Sequence, residues 1–380
     1  MPGVPTVFVH VGTRKSGTSY LQKALRDSRA ELMTQGVDLT FGSRDEDVAR
    51  QLRPLRKMAT SGNDSGARAY LDWLVDRIRS NPEARHLVTQ EDLADLPQEV
   101  ADLYMAALAE FDVHLIVTVR HWGLTIPSEW QECVKGRQFD GTYREFIAEI
   151  RDGGPAAELF LPRQDIPGIV KRWGSSLPSG NVHVIAVGPS SRPEDGIVEL
   201  FCNLVGIDMK RLKEPKKAIN VSLSLPQAEL LRRVNVELSS SNERRNLRPW
   251  IYDGSLRTQP RGGSIRLPDE FKPWCVEQAR RQYDETIALG VDLVGRADDL
   301  LPGDDLATGP AAPDESEVLA SAVRALADLG VQHLDEAAVM AAVTPEAAVP
   351  HVGRAERLGA RAGAKAGRMV SRVVARVRGR

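Results

Sequence analysis

The segment Thr6–Leu21 constrains the fold of this chain more than any other. Its opening run, Thr-Val-Phe-Val-His-Val, is β-branched or apolar apart from His10, which is the composition of a buried strand. Gly12 and Gly17 then bracket a short polar loop, and Thr18 onward reads as a helix start. Strand, glycine-bearing loop and helix N-terminus together form a cradle for phosphate, because backbone N–H groups converge on the anion and the helix dipole favours its charge. An ordinary strand-to-helix turn with an incidental lysine has the same outline.

The position of the lysine narrows the choice. In a nucleoside-triphosphate loop, G-x-x-x-x-G-K-[ST], lysine follows the second glycine directly and a hydroxyl for Mg²⁺ comes behind it. Here Gly12 and Gly17 keep the glycine spacing, but Thr18 and Ser19 follow, and the lysine lies inside the loop at Lys15. Lys15-Ser16-Gly17-Thr18-Ser19-Tyr20 resembles the 5′-phosphosulfate loop of the sulfotransferases, K-[ST]-G-T-[TS]-[WY]. That resemblance implies that Arg14, Lys15, Ser16, Gly17, Thr18, Ser19 and Tyr20 bind the donor 3′-phosphoadenosine 5′-phosphosulfate (PAPS). Tyr20 would stack on its adenine.

Downstream, helical stretches are expected over Ser19–Gln35, near Asp45–Thr60 and Gly66–Ser80, and over 97–111. Between them Val37–Phe41, His86–Gln90 and Val113–Val119 read as strands, and Val182–Val187 as a later one. Strands alternating with crossover-length helices predict an α/β fold, a P-loop-type parallel sheet flanked by helices, in which ligands sit beyond the carboxyl ends of the strands. Glu91 and Arg120 each follow a predicted strand directly, as the loop does. Leu225–Ser239 and Asp269–Leu289 are the clearest late helices, Asn242–Pro268 is expected to be irregular, and Val291–Gly295 closes the core.

Arg120 and Ser128 deepen the resemblance. In sulfotransferases a strand ends in an arginine, a serine follows eight residues later, and both bind the donor's 3′-phosphate; a guanidinium grips phosphate bidentately and a hydroxyl adds a directed hydrogen bond. Thr89-Gln90-Glu91 is similar to the strand end that carries the general base, with Glu91 at its place as in carbohydrate-type members; Asp92 is the rival. Arg261-Gly262-Gly263 echoes the loop that completes the 3′-phosphate site. The Tyr-Glu-Asp of small-molecule enzymes is absent, with Gly188-Pro189-Ser190 in its place. Asn220–Ser224 looks like bacterial members of the family.

Composition sets the outer bounds. An apolar fraction of 42% over 380 residues supports one large domain with an appendage, or two domains. Cys133, Cys202 and Cys275 are widely spaced and odd in number, which argues against a disulfide framework or a zinc site and for a reducing compartment. With no charged leader and no apolar run of membrane length, a cytoplasmic location is expected, and no metal is expected. The expected division is a sulfotransferase domain over 1–300, a linker with Ala-rich acidic helices over 301–350, and a basic tail over 351–380. Asp314 with Glu317 marks a capping box that opens a helix to about Gly330, and a shorter helix follows.

The tail carries nine Lys/Arg against one Glu, a charge of +8, so the other 350 residues sum to −10 of the net −2. Arg354, Arg357, Arg361, Lys365, Arg368, Arg372 and Arg376 form one stripe on a helix, with Met369, Val370, Val373, Val374 and Val377 largely on another side. This extension, helical or disordered, suits a peripheral contact with an anionic inner membrane face or a solubilising role; nucleic acid is not expected, since the tail has no aromatics. Equal liposome co-sedimentation of full-length and 1–350 protein would rule out the contact.

The resemblance implies sulfuryl transfer to a hydroxyl acceptor on a carbohydrate, lipid or natural product, with Lys15 stabilising the leaving phosphosulfate and Glu91 as base. A nucleoside-phosphate kinase and a non-catalytic nucleotide-binding module are the alternatives.

Overall fold

Eight strands and fourteen α-helices are defined in a computed structural model, which describes residues 3–41, 44–188, 196–213, 222–238, 249–260 and 262–343. The strands are β1 Thr6–Gly12, β2 Val37–Leu39, β3 Arg85–Thr89, β4 Asp112–Val119, β5 Val182–Ala186, β6 Leu267–Pro268, β7 Asp292–Val294 and β8 Thr308–Gly309. The first helices are α1 Thr18–Asp27, α2 Arg29–Thr34, α3 Arg44–Asp47, α4 Arg53–Ser61, α5 Ser65–Ser80, α6 Gln98–Ala107 and α7 Trp122–Gly136. Then come α8 Tyr143–Asp152, α9 Pro155–Gln164, α10 Ile166–Gly174, α11 Ile197–Val205, α12 Leu225–Glu237, α13 Lys272–Ile287 and α14 Glu315–Val343.

Six strands form one parallel sheet in the order β2-β3-β1-β4-β5-β7, with helices on both faces; β6 and β8 make a separate parallel pair. The near-continuous apolar character of β1 and β4 follows from this, because a strand covered on both faces needs no polar alternation. Val7, Val9 and Val11 face a core with Leu74, Tyr104 and Trp173, and Phe8 faces the opposite core with Leu21, Leu25 and Phe201. Full burial of each such side chain contributes roughly 1.5–3 kcal/mol. A third cluster, around Trp122, Trp130, Phe146, Phe160 and Phe271, packs about α7, α8, α9, α12 and α13.

The expected helix over Ser19–Gln35 is broken at Ser28, whose hydroxyl accepts from the Lys213 backbone N–H at 2.8 Å, a tertiary contact that no local pattern reveals. The stretch near Asp45–Thr60 passes through a π-helical turn at Val48–Leu52, and part of the expected irregular region, Pro249–Leu256, is also π-helical. Composition changes at Leu301, whereas the first compact unit runs Met1–Leu329 and the second Gly330–Arg380. Residues 301–329 are tied to the preceding chain by the β6–β8 pairing, by Lys272 Nζ donating to the Asp304 carbonyl (2.6 Å), and by the Ser255–Asp328 hydrogen bond (2.5 Å). Of the second unit, residues 330–343 continue the α14 backbone, so one helix stands where two shorter ones are expected. The basic tail, Arg261, and Pro189–Ser190 lie outside the described residues.

Candidate functional site

β1 and β4 are neighbours whose onward connections leave in opposite directions, towards β2 and towards β5, so the switch point of the sheet falls between them. A crevice opens at such a point beyond the carboxyl ends of the strands. Pairing of Gly12 with Thr118 sets the loop Thr13–Gly17 beside Arg120, and pairing of His10 with Thr89 brings Glu91 to the same level on the other side. Adjacent strands lie about 4.8 Å apart. The loop, Glu91 and Arg120 therefore top three neighbouring strands, β3-β1-β4.

A buried polar ladder fixes the base of the loop. His10 Nδ1 lies 2.7 Å from Thr89 Oγ1, and its Nε2 lies 3.1 Å from Thr118 Oγ1. Ser16 Oγ is 3.1 Å from that same Thr118 hydroxyl and donates to the Thr13 carbonyl at 2.7 Å. Burial lowers the His10 pKa to about 3, so the ring is neutral and can donate at one nitrogen while accepting at the other. A side chain at position 12 would collide with Thr118 Oγ1, which is why glycine stands there. The Ser16 hydroxyl thus faces the sheet, and what Ser16 presents to the crevice is backbone.

Above this base the chain turns sharply. Lys15 has φ +66° and Gly17 φ +90°. Left-handed backbone at a non-glycine residue costs about 1–2 kcal/mol and persists only where its surroundings over-determine it. Arg14 supplies part of that constraint. Its guanidinium pairs with Asp92 at 2.8 Å and Asp95 at 3.8 Å, and its carbonyl accepts from Gln164 Nε2 at 2.8 Å. Burial works to lower the Arg14 pKa, but Asp92, Asp95, Glu129 and Glu91 outweigh it and raise it. Arg14 is thus a loop anchor, and Asp92, which also pairs with Arg56 at 3.4 Å, is committed to arginines. α1 begins at Thr18 with no side-chain cap and no acidic residue in its first turn, leaving its N-terminus open to an anion. Thr18 is buried, Ser19 half-buried, and Tyr20 exposed on the outer side of the helix.

Across the switch point, Arg120 makes no ion pair among the described residues. Its Nε is buried without a hydrogen-bond partner, and burial alone lowers its pKa. A charged group desolvated without a partner is unfavourable, and among the described residues no carboxylate offsets that cost at Arg120. The adjacent His121 Nδ1 is also buried without a partner, and burial, with Arg120 beside it, lowers its pKa to about 4.

α7 then carries Ser128 midway along its length, with its hydroxyl 3.4 Å from the Leu124 carbonyl and half-buried. Glu132, one turn on, accepts from Lys15 Nζ at 3.1 Å. Residues four apart share a helix face, so Lys15 reaches the same side of α7 that bears Ser128. Glu129 is 1% exposed; burial raises its pKa despite Arg14, Arg163 and Lys15 nearby. Glu91 is half-buried at the head of a 3₁₀ turn that leaves β3. Gly262 stands against Ser224, the N-cap of α12, where a Cβ would lie 2.7 Å from the serine's own. Sequence reasoning missed Glu129, Glu132 and Gln164; the only available signal was the one-turn spacing of Glu132 from Ser128.

Among the described residues no cluster of three His, Cys, Asp or Glu can hold a metal ion, and no helix is long and apolar enough to cross a membrane. No family model and no curated protein matches the chain. Among solved structures it is similar to a sulfotransferase from Alicyclobacillus acidocaldarius, at 16% identity and a TM-score of 0.36, over 64% of this chain and 99% of that one.

Proposed function

We propose that this chain is a PAPS-dependent sulfotransferase acting on a hydroxyl of a carbohydrate, lipid or natural product. The observation that carries the reading is the pairing across the switch point of a loop lysine held in left-handed backbone with a half-buried arginine whose Nε is buried without a partner and which makes no ion pair among the described residues. A nucleotide with phosphates at both ends of one ribose fits that pair. The loop and the open N-terminus of α1 suit its 5′ end, and Arg120 with Ser128 suits its 3′ end.

PAPS supplies a sulfur activated for in-line displacement, through a loose transition state like that of phosphoryl transfer. Lys15 and the loop amides would neutralise charge growing on the bridging oxygen as the S–O bond to the 5′-phosphate breaks. Glu91 would take the proton from the acceptor hydroxyl as its oxygen bonds to sulfur. Asp92, held by Arg14 and Arg56, is the weaker candidate for base. The absence of a lysine after Gly17 counts against a kinase.

Thermal-shift measurements with adenosine 3′,5′-bisphosphate (PAP) and with Mg-ATP test the reading. PAP is expected to raise the Tm and Mg-ATP to leave it within a degree or so; the reverse pattern would return the protein to the kinases.

A further inference from the structure

Lys15 and Glu132 join the loop to α7 through a pair that the transfer reaction itself does not require. The Lys15 side chain is 25% exposed and its only described ion-pair partner is Glu132 Oε1. That same oxygen accepts from Lys135 Nζ, also at 3.1 Å, and the Lys135 side chain is only 7% exposed, with its ammonium 5.4 Å from the centre of the Tyr252 ring. One carboxylate thus stands between an outer and an inner lysine, one turn from Ser128.

We propose that Glu132 is the resting partner of Lys15: it holds the loop lysine while no donor is bound and yields it to the donor's 5′-phosphosulfate, its own charge then resting on Lys135. This rests on the donor reading above. Because Lys15 sits in left-handed backbone, its direction is set and only its flexible stem has to move. Burial works to raise the Glu132 pKa, but Lys15 and Lys135 outweigh it and lower it, so the group is an anion when the donor arrives. An unshielded anion there would oppose the donor's charge, whereas Lys135 remains to shield it once Lys15 has left. Glu132 is accordingly a positioning residue that weakens nucleotide binding and eases product release.

Calorimetric titration of the full-length protein with PAP tests this in wild type, Glu132→Gln, Lys15→Ala and the double variant. Glu132→Gln is expected to tighten PAP about tenfold, the scale of one relieved contact between partly buried charges, and by less than about twofold when Lys15 is already alanine. Lys135→Met should act in the opposite sense and weaken PAP severalfold, because Glu132 then keeps its hold on Lys15. Equal tightening in both backgrounds would make Glu132 a bystander charge. Unchanged affinity with collapsed turnover would make it a base. Either result overturns the proposal. A wild type that ignores PAP overturns the donor reading and takes this one with it.

Discussion

Polar groups at the two ends of β4 are partnered differently. At the amino ends of β4, β5 and β7, His114 Nδ1 lies 2.8 Å from His183 Nε2, and His183 Nδ1 lies 2.8 Å from Asp292 Oδ2. Asn181 Nδ2 donates to Asp112 Oδ1 at 3.1 Å and to the Val113 carbonyl at 3.0 Å. Each of these side chains finds its partner within the protein. At the carboxyl end of β4, Arg120 Nε and His121 Nδ1 are buried with none. A charged or polar group buried without a partner costs stability, and a satisfied one does not. Under the proposed function, the groups left without a partner at the carboxyl end of β4 are the ones that would face the donor.

Substitutions at the two ends should therefore separate activity from stability. Glu91→Gln is expected to lower kcat about 10²–10⁴-fold while PAP affinity stays within about threefold. Turnover and titration on the same preparation check this, and an unchanged kcat would dismiss Glu91 as the base.

Acid is expected to act next most strongly, through the buried histidines. His10, with a pKa of about 3, and His121, about 4, both lie below the unfolded value of 6.5. The unfolded chain therefore takes up these protons first as pH falls. Their contribution is whole above pH 6.5 and declines by about 1.4 kcal/mol per pH unit for each histidine below it, until the folded pKa is reached. Denaturant titrations from pH 7 to 4.5 should show this slope, to which His86, also lowered by burial, adds, and His10→Gln should reduce it by the share of one histidine. An equal slope in that variant would contradict the buried neutral ring.

The smallest effect is expected at the amino end. His183→Phe breaks two hydrogen bonds and should cost about 1–3 kcal/mol of stability. PAP affinity should not change. A fall in affinity would mean that the two ends are coupled.

Much of this contrast was legible in the sequence, for identifiable reasons. β1 and β4 declare themselves because strands buried on both faces are mostly apolar, and Gly12 and Gly17 because their spacing brackets the loop. Arg120 and Glu91 were legible as strand-end residues because parallel strands all deliver their carboxyl ends to one side. What a side chain touches was not legible. Ser16 looks like a phosphate ligand in the sequence, yet its hydroxyl bonds to Thr13 and Thr118. Glu132 and Gln164 are ordinary helix residues until the packing of α7 and α9 brings them to the loop. Two-residue strands such as β6 and β8 have no period to detect, so the attachment of residues 301–329 could not be anticipated.

The central claim is that Lys15 and Arg120 hold opposite ends of one doubly phosphorylated adenosine. Titrating wild type, Lys15→Ala and Arg120→Ala with PAP and with adenosine 5′-monophosphate tests it directly, since the two ligands differ only in the 3′-phosphate. Wild type should prefer PAP by about 10²-fold, the scale of a charge-assisted bidentate contact. Arg120→Ala should erase that preference, while Lys15→Ala should weaken both ligands and preserve it. A preference for PAP that survives in Arg120→Ala would contradict the account.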